Sequence, residues 1–348
     1  MMSELIYIGW DVGGAHLKAA QVSIEGDVLA VEQVASPIWQ GVDKLEEALR
    51  RMADLFVINQ AHHVITMTGE MADIFPNRMQ GVASILQQFG SVFPDGRISV
   101  YAGQAGLVSF GDARNYMSQI ASMNWHATAT LAARKYHDGI LLDIGSTTTD
   151  IIPFRNGTVC QKGWTDFERL RNDELLYTGI VRTPVMAVVQ RVPFRGHEQH
   201  IAAENFATMA DVYRLTGELL EHHDLMETSD LKGKSKRESA QRLARMVGLD
   251  VEETEPLEEW IELARYIAGR QLDIICISLS EIMDGMPARA LIGAGSGRFL
   301  ARKLAQQANV TYIDFTEQWQ VAEIARLKCA DCATAIAVAD LARLSLRQ

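Results

Sequence analysis

Cysteine and proline are scarce in this chain of 348 residues, at four and eight respectively. Four cysteines, at 160, 276, 329 and 332, give no disulfide framework in a chain of this size. Long apolar runs are missing: the longest fall far short of the roughly 20 residues a membrane helix needs. The opening Met1-Met2-Ser3-Glu4 has neither a basic region nor an apolar core, so it does not read as a signal peptide. No linker rich in proline, glycine or serine divides the chain. Positive charge is in deficit too. The net charge of −11 argues against non-specific affinity for nucleic acid or an anionic membrane, so a phosphorylated ligand must be held by local donors and a cation. A cytoplasmic protein is expected, with a small-molecule phosphorylated ligand, no nucleic acid and no membrane partner. Its oligomeric state is left open, a homo-oligomer among the options.

What is present is an ordered globular composition, 48% hydrophobic and 22% charged, long enough for two lobes with separate cores. One strand–turn–strand pattern occurs twice. The first copy runs from Ile8 through Asp11, Gly13 and Gly14 to His16 and Lys18. The second runs from Leu141 through Asp143, Gly145, Ser146, Thr147 and Thr148 to Asp150. In each, an apolar run ends in an aspartate and a tight glycine-bearing turn follows. Backbone N–H groups in such a turn can approach an anion closely, and the preceding carboxylate can hold a divalent cation.

The surrounding pattern predicts a β-β-β-α-β-α-β order. Strands are expected at about 5–12, 16–24 and 27–36, then a helix from Asp43 to about 59. His62–Met67 follows as a strand, Asn77–Phe89 as a helix and Ile98–Ala102 as a strand, with helical pattern from Ala113 to Tyr136. Three strands at 139–145, 148–154 and 157–161 repeat the opening. The expected fold class is therefore α/β: two ribonuclease H-like lobes of the actin-like ATPase fold, facing across a cleft. The first spans 1–137, with a C-terminal helical segment at about 318–348 returning to it. The second spans 138–317, with an insertion at about 162–253 as the place for substrate contacts. A long helix is expected at 255–284, a strand at Ala288–Ile292, a turn at Gly293–Gly297, a helix at Arg298–Gln307, a strand at Val310–Phe315 and a helix at Asp331–Leu346.

Each chemical candidate has a plainer reading. Asp11 and Asp143 are metal ligands and catalytic residues, or they cap their own turns; their pairing favours Mg²⁺. Gly13, Gly14, Gly145, Ser146, Thr147 and Thr148 supply donors to a diphosphate or nucleotide, or they make ordinary turns. His16 and Lys18 face the phosphate or solvent. Asp150 and Glu70, the latter in Thr68-Gly69-Glu70, are candidates for base work, against a solvated strand and a surface turn. Gly293, Gly295 and Gly297 form a third wall of the ligand cleft, or a tight β–α turn. Asn124 lines the cleft or caps its helix, and Trp125 is core. Cys329-x-x-Cys332 reads as two partly buried thiols. His197, His200, His222 and His223 read as solvated loop.

With these motifs assembled, the chain resembles the hydantoinase A/oxoprolinase branch of the acetate-kinase/sugar-kinase/Hsp70/actin superfamily. The segments GWDVGGAHLKAA, TMTGEMADIFPNRMQGV, LLDIGSTTTDIIP and ALIGAGSGRFLA carry that resemblance. SMNWHATATLAA, YTGIVRTPV, ADVYRLTGE and CADCATAIAVADL narrow it to the short proteins linked to tetrahydromethanopterin-dependent one-carbon metabolism, whose archaeal relatives are methanofuran-biosynthesis synthases. The resemblance implies a transferase. An aminomethylfuran-methyl diphosphate would be the electrophile and the phenol of a γ-glutamylated tyramine, or a tyrosine analogue, the nucleophile. An aryl ether and pyrophosphate would be the products, with Mg²⁺ as the cofactor. The alternatives are an ATP-dependent kinase or amide hydrolase, and a nucleotide-binding regulator.

Overall fold

The computed structural model describes residues 6–56, 61–254, 256–286 and 288–345. The reading of Met1–Glu4, the first residue of the opening strand, the end of the first helix near 59, residue 255 and the last residue of the closing helix lie outside these. Two compact units emerge: Met1–Gly139 with Pro153–Cys160 and Ile313–Gln348, and Ile140–Ile152 with Gln161–Tyr312.

In the first unit the strands are β1 (Tyr7–Val12), β2 (His16–Val22), β3 (Val28–Ala35), β4 (His62–Met67), β5 (Arg97–Tyr101) and β6 (Leu107–Ser109), in the order β3-β2-β1-β4-β5-β6. β1 pairs antiparallel with β2 and parallel with β4. Every residue of β1 is buried, because strand alternation offers both of its faces to packing. Ile8, Trp10 and Val12 join Leu45, Leu49 and Met52 of the Asp43–Ala53 helix and Val82, Ile85 and Phe89 of the Arg78–Val92 helix in one core. On the alternate face Gly9 admits the closing helix, Ala333–Ser345, so closely that a Cβ on Gly9 would lie 1.8 Å from the Ala335 carbonyl oxygen. That helix also packs on β2, β4 and the Asn124–Tyr136 helix. The helical pattern from Ala113 to Tyr136 is in fact broken: short turns at Ala113–Tyr116 and Met117–Ile120 stop before Asn124, because Ser122 takes a φ of +55°.

The second sheet repeats the plan. Its strands are β7 (Gly139–Ile144), β8 (Thr149–Arg155), β9 (Thr158–Val159) and β10 (Leu175–Leu176), joined by β13 (Ala290–Ala294) and β14 (Thr311–Asp314) in the order β10-β8-β7-β13-β14, with β9 also on β8. Between them β11 (Arg191–Phe194) and β12 (His197–His200) form a separate hairpin. β7 pairs parallel with β13, as β1 does with β4. The insertion and the Glu258–Gly285 helix share one core with this sheet, centred on Trp260, Tyr213, Leu243 and Ile275. Each sheet thus has an opening antiparallel meander and then a parallel crossover strand beside its first strand, the ribonuclease H-like arrangement.

Candidate functional site: two aspartate-headed turns

In the first turn the Gly13 N–H donates to the His16 carbonyl at 3.0 Å, leaving Gly14 and Ala15 as a two-residue loop. The Gly14 carbonyl accepts from Ile38 N (3.1 Å) and the Val12 carbonyl from Thr68 N (2.9 Å), so the turn is tied to both flanking segments. Asp11 is 7% exposed, and the register sets it opposite Lys18, which puts carboxylate and ammonium on one face. His16 and Lys18 do not point to open solvent. His16 is buried and Lys18 half-buried, because the closing segment covers that face of β2.

Thr68-Gly69-Glu70 is not a surface turn. Gly69 fits against the carbonyls of Val12 and Gly13, which a Cβ would approach to 3.1 and 3.2 Å. Glu70 is 1% exposed and accepts a hydrogen bond from the Ser122 hydroxyl at 2.7 Å. Gly81 clears space for it, since a Cβ there would lie 2.5 Å from the Glu70 carbonyl oxygen. Ser122 reaches this carboxylate through its left-handed backbone, a conformation that non-glycine residues hold only when their surroundings enforce it. Sequence reasoning missed Ser122, as nothing in the residue type announces that φ. Asn124 begins the following helix and accepts from the Trp125 N–H at 2.7 Å, which serves the helix start; Trp125 is core.

The second turn has the same geometry: Gly145 N–H donates to the Thr148 carbonyl at 2.9 Å, with Ser146 and Thr147 as its loop. The Gly145 carbonyl accepts from Ile180 N (3.0 Å) and the Ser146 carbonyl from Val181 N (3.1 Å) and Arg182 N (2.9 Å). Gly179 makes that approach feasible, since a Cβ on it would lie 2.4 Å from Thr147 N. Gly145, Ser146, Thr147 and Thr148 are all partly accessible, as is Asp143. The Ile144 carbonyl accepts from Gly297 N at 2.7 Å, the counterpart of the bond from Thr68 to Val12. Gly295, at φ +78°, keeps clear the space beside Asp143: a Cβ there would lie 2.5 Å from Asp143 Oδ1. Gly293 needs correction. It lies within β13, and its missing side chain makes room for the Tyr312 ring, which a Cβ would meet at 2.6 Å, so packing accounts for it.

Asp150 is neither solvated nor unengaged. Arg169, itself buried, donates to its Oδ1 at 2.7 Å and to the Glu174 carbonyl at 3.0 Å. Burial raises the Asp150 pKa above the ordinary carboxylate value, with Arg169 opposing the shift. Burial likewise raises that of Glu174, whose carboxylate accepts from Lys162 N and Gly163 N. Cys329 and Cys332 are buried, and burial drives the Cys332 thiol well above its usual value, which makes it inert as a nucleophile at neutral pH. His197 and His200 are exposed, as expected, but on strand β12 rather than in a loop, while His222 is half-buried and His223 buried.

These paired turns on ribonuclease H-like sheets define the class: the actin-like ATPase fold. A solved structure shares that fold, a nucleotide-free acetone carboxylase from work on ATP-dependent acetone carboxylation. It has 10% identity and a TM-score of 0.61 over 96% of this chain and 70% of that one. More narrowly, the chain belongs to the hydantoinase/oxoprolinase family, whose model matches residues 62–339. Two curated relatives bear the same name, (4-{4-[2-(gamma-L-glutamylamino)ethyl]phenoxymethyl}furan-2-yl)methanamine synthase. The protein from Methanocaldococcus jannaschii is 29% identical, over 90% of this chain and 92% of its own length. That from Methanococcus vannielii is 30% identical over 45% of this chain and 70% of its own length. Among the described residues, no helix is long and apolar enough to cross a membrane.

Proposed function

We propose that the chain is an enzyme of methanofuran-type cofactor biosynthesis that joins an aminomethylfuran-methyl diphosphate to the phenol of a γ-glutamyltyramine-like acceptor. The observation that carries this reading is the relationship to the Methanocaldococcus jannaschii synthase along nearly the full length of both chains. In the reaction the furfuryl CH₂–O bond breaks and its electron pair leaves on pyrophosphate. The phenol oxygen bonds to the CH₂, and the phenol proton passes to a base. Furan conjugation stabilises positive charge on that carbon, so bond breaking can run ahead of attack.

The second turn suits the leaving group, with Ser146, Thr147 and Thr148 presenting backbone and hydroxyl donors beside Asp143, while the Gly145 N–H closes the turn. The first offers the Gly14 amide and Lys18 beside Asp11, while the Gly13 N–H closes the turn. Asp143, beside hydroxyl oxygens and the space that Gly295 keeps clear, fits a hard divalent cation, and Asp11 is the corresponding donor of the first turn. Mg²⁺ held at either carboxylate would offset the charge that develops on a diphosphate beside it. Glu70 is the base we favour over Asp150: Ser122 holds it in one orientation, while Asp150 already answers the Arg169 guanidinium.

Incubating the purified chain with both substrates and Mg²⁺, without ATP, tests the reading. Pyrophosphate released in step with the aryl ether supports it. Product that forms only with ATP, together with ADP, would make the chain an ATP-driven enzyme instead.

A further inference from the structure

The insertion contains a pocket of about 310 Å³ whose walls include Leu225, Met226, Glu227, Leu231, Lys232 and Lys234. This lies at the lower end of the range for small-ligand sites. Its loop is tied down from beneath at both ends. Arg214 Nη2 lies 2.6 Å from Asp224 Oδ2, and Lys234 Nζ donates to the Asp224 carbonyl at 2.8 Å. At the other end Arg242, wholly buried, bridges Asp211 (2.7 Å) and Asp230 (3.0 Å) and donates to the Gly233 carbonyl at 3.1 Å. Desolvation cancels much of what such buried pairs could add to stability. What they do secure is position.

Leu231 is 76% exposed and held at φ +57°, and Leu225 is 38% exposed. Glu227 and Lys232 are both exposed at the same pocket, whereas the Lys234 ammonium already answers Asp224. An apolar wall flanked by one carboxylate and one ammonium complements a ligand with an apolar body and a zwitterionic end.

We infer that this pocket receives the α-amino acid head of the phenolic acceptor, with Lys232 on its carboxylate, Glu227 on its ammonium, and Leu225 and Leu231 against the phenethyl body. The inference rests on the function proposed above, since the acceptor there carries a γ-glutamyl group. It assigns acceptor selectivity to the insertion, apart from the two turns.

Calorimetry separates the two claims because it needs no turnover. γ-Glutamyltyramine and its N-acetyl derivative are titrated into wild-type protein, K232Q and E227Q; both substitutions fall on exposed side chains, and circular dichroism checks the fold. The expected result is a Kd for γ-glutamyltyramine about tenfold higher in each variant, with N-acetylation weakening binding to wild type but not to E227Q. A Kd that neither substitution changes, or no binding to wild type, overturns the pocket assignment. Pyrophosphate release is assayed separately: binding as predicted with no release sinks the proposed reaction, and release with a Kd indifferent to both substitutions sinks the pocket alone.

Discussion

The two turns share a frame and differ in their electrostatic dress. Both close through an N–H bond from the glycine to the residue three places on, and both hand the preceding carbonyl to the turn that ends a neighbouring parallel strand. Five residues beyond that glycine, however, the first has Lys18 and the second Asp150. The first turn thus carries its own cation across from Asp11. The second places another acid at that position and brings in Arg169 from the helix Asp166–Arg171 to answer it. Backing differs as well: Ser36, Ile38 and Gly69 support the first, while the Gly179–Arg182 stretch of the insertion supports the second. A duplicated frame has been given two unlike chemical settings.

Removing either carboxylate is the strongest way to probe that difference. Asp143→Asn and Asp11→Asn keep size and hydrogen-bonding capacity but lose the charge, and each should lower pyrophosphate release by at least about 100-fold, with unfolding midpoints little changed. Steady-state kinetics across a Mg²⁺ titration reads the result. If one variant keeps wild-type turnover, the carboxylate it removes holds no catalytic metal.

Much of this frame was legible before the coordinates. Period-two strands, glycine-bearing turns and their repetition gave most of the strands and their succession along the chain, because those signals are local. His62–Met67 and Arg298–Gln307 match the expected bounds outright. The misses are tertiary. No local pattern says that Gly293 yields to a Tyr312 ring, that Ser122 breaks the helical stretch before Asn124, or that Asp150 meets Arg169, 19 residues away. The motifs locate the turns in the sequence, but the partners of each residue are chosen by packing.

Acid should separate the two units. In the first, His62 and His63 are buried, and desolvation is the main cause that lowers their pKa values from 6.5 to about 4. The unfolded chain therefore binds protons as pH falls below about 6.5, while the native chain resists until about 4. Stability declines across that window, by on the order of 3 kcal/mol per histidine at its far end. In the second unit the raised pKa values of Asp150 and Glu174 work in the opposite sense, since there the native state takes up protons first. Segment-resolved amide hydrogen exchange between pH 7 and 4.5 should show β4 and β5 losing protection before β7 and β13. Loss of protection in the reverse order would contradict this account.

Backbone packing offers a finer contrast. Gly179→Ala would press a methyl onto Thr147 N and the Ser146 carbonyl carbon, at 2.4 and 2.5 Å, so the second turn must shift. A loss of about 1–3 kcal/mol in denaturant unfolding is expected, together with weaker pyrophosphate binding.

Gly14→Ala should do least. It occupies the corresponding loop of the first turn, but its backbone does not take a positive φ, and an added Cβ meets nothing within 4 Å. Stability should stay within about 0.5 kcal/mol of wild type, since the substitution neither overpacks nor strains the chain. The open space can then be probed through the ligand. If Gly14 leaves room for an anion to approach the loop amides, the alanine methyl occupies that room, and pyrophosphate affinity falls several-fold while the unfolding midpoint stays put. If affinity is equally untouched, the first turn serves the fold alone, and the unlike settings of the two turns reflect one working site and one structural relic.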